Sequence, residues 1–184
     1  MSLVNGLPAH VLLVHVVVVL VPLTALALVV AAVWPRATRR LGVLLPVLAF
    51  VALVSVPLTT SAGEWLERHV DSDPLVRRHT ELGDGLLPWA LGLFVLAVVV
   101  WWAGRSLRLQ EGQAGQEGNQ GQEGKAGRSR WSALPVRIVV GLLSVVIAVG
   151  AVVDVYRIGD SGAKAAWHDG YSKTAHGEGD GDGS

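Results

Sequence analysis

Cysteine is absent from the 184 residues. That excludes disulfides, thiolate metal sites, thiol nucleophiles and cysteine-bound clusters. Charge is scarce as well: Asp, Glu, Lys and Arg supply 16% of the chain, against about a quarter in an average soluble domain. Acids and bases balance to zero, so no overall field exists to hold nucleic acid. A Walker loop, a dinucleotide glycine fingerprint, an HExxH pair and a GxSxG elbow are all missing. No nucleophile–base arrangement is visible either, which leaves catalysis the least supported reading. What abounds is aliphatic: 51% of residues are apolar and the mean hydropathy is +0.47. The apolar residues come in blocks, the pattern of a small polytopic membrane protein rather than a soluble enzyme.

Four blocks are long enough to cross a bilayer as helices, since an unsatisfied backbone cannot cross lipid in any open form. They run about Pro8–Val33, Leu41–Ala62, Gly85–Gly104 and Leu134–Tyr156. No Lys or Arg precedes the first block and none interrupts Ala9–Val33, so it is expected to be a span and not a cleaved signal peptide. Pro8, Pro88 and Pro135 are expected in first turns, where the missing N–H costs nothing. Pro22 and Pro57 fall inside spans and are expected to kink them. Trp34, Trp65, Trp89, Trp101, Trp102 and Trp131 fall near span ends, as an interfacial belt requires. The fold expected is an all-α integral membrane bundle of four transmembrane helices. Residues 1–110 hold the first three helices with an outer loop at 63–84. A Gly/Gln-rich linker follows at 111–130, then the fourth helix at 131–160 and a tail at 161–184.

Orientation follows from the arginines. The connection Trp34–Arg40 has Arg36, Arg39 and Arg40 and no acid, and Arg105–Arg137 carries twice as many bases as acids. By the positive-inside rule these two lie in the cytoplasm, and both termini are extracytoplasmic. Glu111–Gly127, a loose repeat of Gly, Gln and Glu, cannot bury a core and reads as a flexible linker. The Arg-over-Lys and Ala/Val/Gly/Leu bias suggests a bacterial plasma membrane.

Polar chemistry collects on the outer side. All six histidines, His10, His15, His69, His79, His168 and His176, fall there on this topology, together with acids such as Glu64, Asp84 and Asp154. His15 sits well inside the first span, where an ionisable group is expected to face the bundle interior and have a partner. It reads either as a haem ligand, metal ligand or proton relay, or as a histidine satisfied by one carbonyl or hydroxyl of a neighbouring helix. His10 lies five residues earlier, about 140° around the helix, so one helix cannot aim both at a single ion. His79 follows a helix start at Ser72-Asp73-Pro74 and shares a face with Leu75, Leu82 and Leu86. It points inward along that stripe or stands exposed beside Arg77 and Arg78. Asp154 either pairs with Arg157 at the helix end or orients an inward histidine. Thr59, Thr60 and Ser61 are expected to satisfy backbone groups freed by Pro57. Ala27/Ala31 and Ser144/Ala148 are small-xxx-small pairs that permit close helix approach.

Gly6-x-Pro8-x-His10-x-x-x-x-His15, Ser61-Ala62-Gly63-Glu64-Trp65, His79 and Tyr156-Arg157-Ile158-Gly159 through Gly162 together resemble the membrane family catalogued as domain of unknown function 2231. The resemblance covers nearly the whole chain except the linker and tail. It implies a four-helix membrane protein, and relatives joined to Rieske-type or cytochrome-like domains imply a redox setting for His10, His15 and His79. This chain carries no redox domain, so an electron partner would be a separate redox protein.

The function expected is a non-catalytic membrane module. Its outer-leaflet cluster of His10, His15 and His79 would hold haem b or a divalent metal, the metal using Asp154 as well. The alternatives are a structural or accessory subunit packed with a partner or as a homo-oligomer, and a small proton or metal-ion conduit using His15 and Asp154. The bilayer is the partner common to all three. The topology has a direct check in a chain without cysteine. A membrane-impermeant maleimide should label Arg78→Cys in intact cells and label Gln120→Cys only after permeabilisation.

Overall fold

The computed structural model describes residues 3–4, 7–67, 74–114 and 123–167. Two short strands, β1 (Leu3–Val4) and β2 (Leu7–Pro8), pair antiparallel at the start. Among the described residues the chain after them is helical apart from short turns: α1 (Ala9–Val33), α2 (Pro35–Leu41), α3 (Leu44–Glu67), α4 (Pro74–Asp84), α5 (Leu86–Ala114) and α6 (Glu123–Trp167). Four segments are long and apolar enough to cross a membrane: one in α1, one in α3, one running from α4 into α5, and one in α6. The long helices α1, α3, α5 and α6 carry their apolar stretches. They form a square. α1 packs on α3 and α6, α3 on α5, and α5 on α6, with α1 also touching α5 across the diagonal.

The buried positions explain the square. On α1 they are Val17, Val21, Ala25, Leu28 and Ala31; on α3, Leu45, Ala49, Ala52 and Val56. On α5 they are Leu86, Ala90, Leu93, Ala97 and Val100; on α6, Ser144, Ala148, Ala151 and Val155. These positions step by three or four residues, with buried Thr24, Pro46, Ser55 and Thr59 beside them, so each helix contributes one stripe close to the 3.5-residue repeat of left-handed bundles. The stripes are rich in alanine, and large apolar residues such as Val19, Leu26, Leu44 and Val146 face outward. A water-soluble bundle would reverse that. In lipid, outward leucine and valine cost nothing, and small inward residues let backbones approach closely.

Polar groups inside the square are satisfied within their own helices. Thr24 donates to the Leu20 carbonyl at 2.7 Å, Ser55 to Ala52 at 2.8 Å, Thr59 to Ser55 at 2.7 Å and Ser144 to Val140 at 2.7 Å. Thr60 donates to the Pro57 carbonyl at 3.1 Å. Pro57 lies within α3 and deprives the Leu53 carbonyl of its N–H partner. The nearby hydroxyls thus bond carbonyls beside that gap and not the freed one.

Short helices turn the corners. Trp34 stands before Pro35, which opens α2 at its first position. Gly42 ends α2 with φ of +48°, a value that favours glycine. A turn at Gly85 separates α4 from α5, its N–H donating to the Leu82 carbonyl at 3.1 Å. Helix bounds exceed the apolar blocks at the opposite end. α5 continues past Gly104 to Ala114 and α6 begins at Glu123, so Pro135 lies inside α6 and not in its first turn. The reason is that hydropathy marks where lipid ends, while intrahelical hydrogen bonds continue into water wherever Leu, Arg, Gln and Glu favour them.

One glycine of α6 makes room for the largest side chain that α5 turns toward it. A Cβ built on Gly150 would lie 2.2 Å from Cζ3 of Trp89. Gly150→Ala is therefore expected to destabilise the bundle by about 1–3 kcal/mol through overpacking. Thermal unfolding in detergent should show a lowered Tm that a second change, Trp89→Leu, restores.

Candidate functional site

The starts of α1 and α5, the ends of α3 and α6, and helix α4 meet at one end of the bundle. A cavity of about 70 Å³ opens there. Val17, Val56, Leu86 and Val155 form its apolar floor; His10, His79, Thr60, Glu64 and Asp84 line it above. Glu64 and Asp84 are exposed at its rim, whereas His10 and His79 are half-buried.

Each imidazole is seated in the same manner. Nδ1 of His10 lies 3.1 Å from the Thr59 carbonyl oxygen. Its ring rests on Gly63, where a Cβ would approach Cε1 to 3.0 Å. Nδ1 of His79 lies 3.0 Å from Oγ of Ser161. That ring rests on Gly162, where a Cβ would again come within 3.0 Å of Cε1. One hydrogen bond and one glycine notch thus fix each ring against a different helix, α3 for His10 and α6 for His79. The two rings stand edge to face, 6.2 Å between centroids and 85° between planes.

These contacts determine the tautomers. A carbonyl only accepts, so Nδ1 of His10 carries the proton and donates to Thr59. Ser161 gives its one hydroxyl hydrogen to the Ile158 carbonyl at 2.8 Å. Toward His79 its oxygen is left to accept, and Nδ1 of His79 donates. In both rings the lone pair is on Nε2. An imidazole held through Nδ1–H with Nε2 unprotonated is the form that ligates a metal.

The remaining expected residues fall elsewhere. His15 is exposed and does not line the cavity. The 140° between positions five apart carries it off the face His10 occupies, and the inward orientation expected for it is not the one observed. Asp154 is half-buried near the turn at Gly85, where a Cβ on that glycine would lie 3.7 Å from Oδ2. That oxygen is buried and accepts no hydrogen bond among the described residues. Asp154 is not among the cavity's lining residues, so it neither orients nor joins the histidine pair. Among the described residues no group of three or more His, Asp or Glu side chains converges as a metal site. His69, His168 and His176 lie outside the described residues.

Sequence reasoning assigned Thr59 a different role, satisfying backbone freed by Pro57, and none to its carbonyl, to Ser161 or to the glycines Gly63 and Gly162 as seats for a ring. The signal available was that Ser61–Trp65 and Gly159–Gly162 recur in the family resemblance. Nothing about a backbone carbonyl or an absent side chain announces that an imidazole will rest on it.

The model of a family described as predicted membrane protein (DUF2231) matches residues 6–175, and the chain belongs to that family. No curated protein and no solved structure matches it. With four apolar helices of spanning length, it is a multi-pass membrane protein.

The tautomers have a direct spectroscopic consequence. Nitrogen-15 spectra of the imidazoles should show protonated Nδ1 and unprotonated Nε2 for both His10 and His79. Ser161→Ala should scramble the pattern at His79 and leave His10 unchanged.

Proposed function

We propose that this multi-pass membrane protein is a non-catalytic module in which His10 and His79 bind one divalent transition-metal ion between them. The observation that carries this reading is the pair of imidazoles 6.2 Å apart in one cavity, each held through Nδ1 so that Nε2 is left for an ion. Two imidazoles sharing an ion through nitrogen at about 2.0–2.1 Å have centroids roughly 5–6.5 Å apart, depending on the angle at the ion. The observed spacing sits at the wide, near-linear end of that range, about 145–160° at the ion, so a tetrahedral ion would draw the rings roughly 1 Å closer. Imidazole donors suit zinc, copper or nickel, and oxygen donors at the rim are compatible with all three.

Of the two cofactors considered, the cavity size favours the ion. The enclosed space of about 70 Å³ holds an ion with a water. Thr59 and Ser161 then act as positioning groups. By accepting from Nδ1 they hold the rings in place and raise the basicity of Nε2. Glu64 and Asp84 sit where a side-chain rotation brings a carboxylate to the ion or where charge attracts a cation to the mouth.

The test is titration of the detergent-purified full chain with Co²⁺, Ni²⁺, Cu²⁺ and Zn²⁺, read by calorimetry and by Co²⁺ absorption. One ion per chain is expected. His10→Ala and His79→Ala should abolish binding, His15→Ala should leave it intact, and Ser161→Ala should weaken it about 10–100-fold. Binding should also weaken as the medium is acidified, because protons compete for Nε2. No binding of any of the four ions, or equal binding by the His10→Ala/His79→Ala double variant, would overturn the reading.

A further inference from the structure

The opposite end of the bundle holds a second and larger cavity, of about 250 Å³, between α1, α2, α5 and α6. Its chemistry is the reverse of the first. Arg39 of α2 and Arg137 of α6 line it, with no acid among its lining residues. Its remaining wall is aliphatic and includes Val99, Val100, Val136 and Val140. The charge extends around it. Arg36, Arg40 and Arg105 lie at the same end.

The cavity is built rather than incidental. The Thr38 hydroxyl donates to the Ala31 carbonyl at 2.5 Å, which fixes α2 across the end of α1. The methyl of Thr38 fits over Gly104 of α5, where a Cβ would come within 2.9 Å. α2 is thus held between two spans, and Arg39 follows directly from the anchored Thr38. Arg137 stands two residues after Pro135. Val99 and Val136 are exposed, so in a bilayer the cavity is open sideways to lipid.

We infer that this cavity binds an anionic phospholipid, with the phosphate between Arg39 and Arg137 and the acyl chains along Val136 and Val140. Two guanidiniums suit a phosphate because each presents paired N–H donors to its oxygens. A basic pocket between spans is the kind of site that holds an anionic headgroup. An aliphatic wall open to the bilayer gives the chains of the same molecule a place to lie. Free phosphate gains only the first of these contacts, and a zwitterionic lipid carries its own cation into the arginine cluster.

The experiment uses the full chain in detergent and measures retention of dioleoylphosphatidylglycerol by native mass spectrometry. Dioleoylphosphatidylcholine and inorganic phosphate serve as competitors. The phosphatidylglycerol should be retained preferentially and should not be displaced by inorganic phosphate. Arg39→Ala/Arg137→Ala should weaken it roughly 25-fold, each basic contact contributing about a factor of five. Arg36→Ala/Arg40→Ala, which removes the same charge outside the cavity, should keep most of the affinity. Ala103→Phe fills the cavity with every arginine retained and should also lose the lipid. Equal retention of the two lipids, displacement by phosphate, or equal loss in the two arginine double variants would overturn the inference. So would full retention by Ala103→Phe.

Discussion

A bilayer gives apolar side chains no reason to move inward, and the architecture depends on that constraint. Burial of leucine or valine, which drives a soluble core, contributes little when the surroundings are equally apolar. What remains is close backbone approach and the need to satisfy every polar group. The inward stripes are accordingly alanine-rich, and Gly150 leaves the space that the Trp89 ring fills between α5 and α6. The four buried hydroxyls turn back on carbonyls of their own helices. Nothing polar in the middle of the square reaches across to a neighbour through those hydroxyls.

Close approach also positions the chemistry at the ends. Gly63 and Gly162 do for the imidazoles what the alanines do for the helices: they leave space that a rigid planar group fills. The same device recurs where Gly104 receives Thr38. One end consequently presents nitrogen lone pairs with carboxylates at the rim, and the other presents guanidiniums against an aliphatic wall. The two ends differ in charge, donor type and size, and a stretch of Val, Ala and Leu separates them.

Much of this was legible in the residues, for identifiable reasons. The four apolar blocks specify four spanning helices because lipid admits few alternatives for the backbone. Helix ends were less legible: α5 and α6 run on through Gln, Glu, Lys and Arg, residues whose side chains dissolve in water and whose backbones still favour the helix. His10 and His79 were recognisable by residue type and by the stripe in α4. The separation of His10 from His15 was a matter of angular phase, and the helix period supplied it. The partners of the two rings were not legible. The Thr59 carbonyl has no side-chain signature, and Ser161 is an ordinary serine until the end of α6 is placed against α4. Two-residue strands at the start, with no periodicity to display, were equally silent.

The square is closed by contact between its first and last spans, since α1 packs on α6 as extensively as on its sequence neighbour α3. A ribosome delivers these two at opposite times. Until the fourth helix is inserted, one flank of α1 and one of α5 stand against lipid, and the serine that seats His79 does not yet exist. The three earlier helices can gather, but the pocket at their end has only half its furniture. Insertion of α6 is thus the step at which an assembly of membrane helices becomes a molecule with a site.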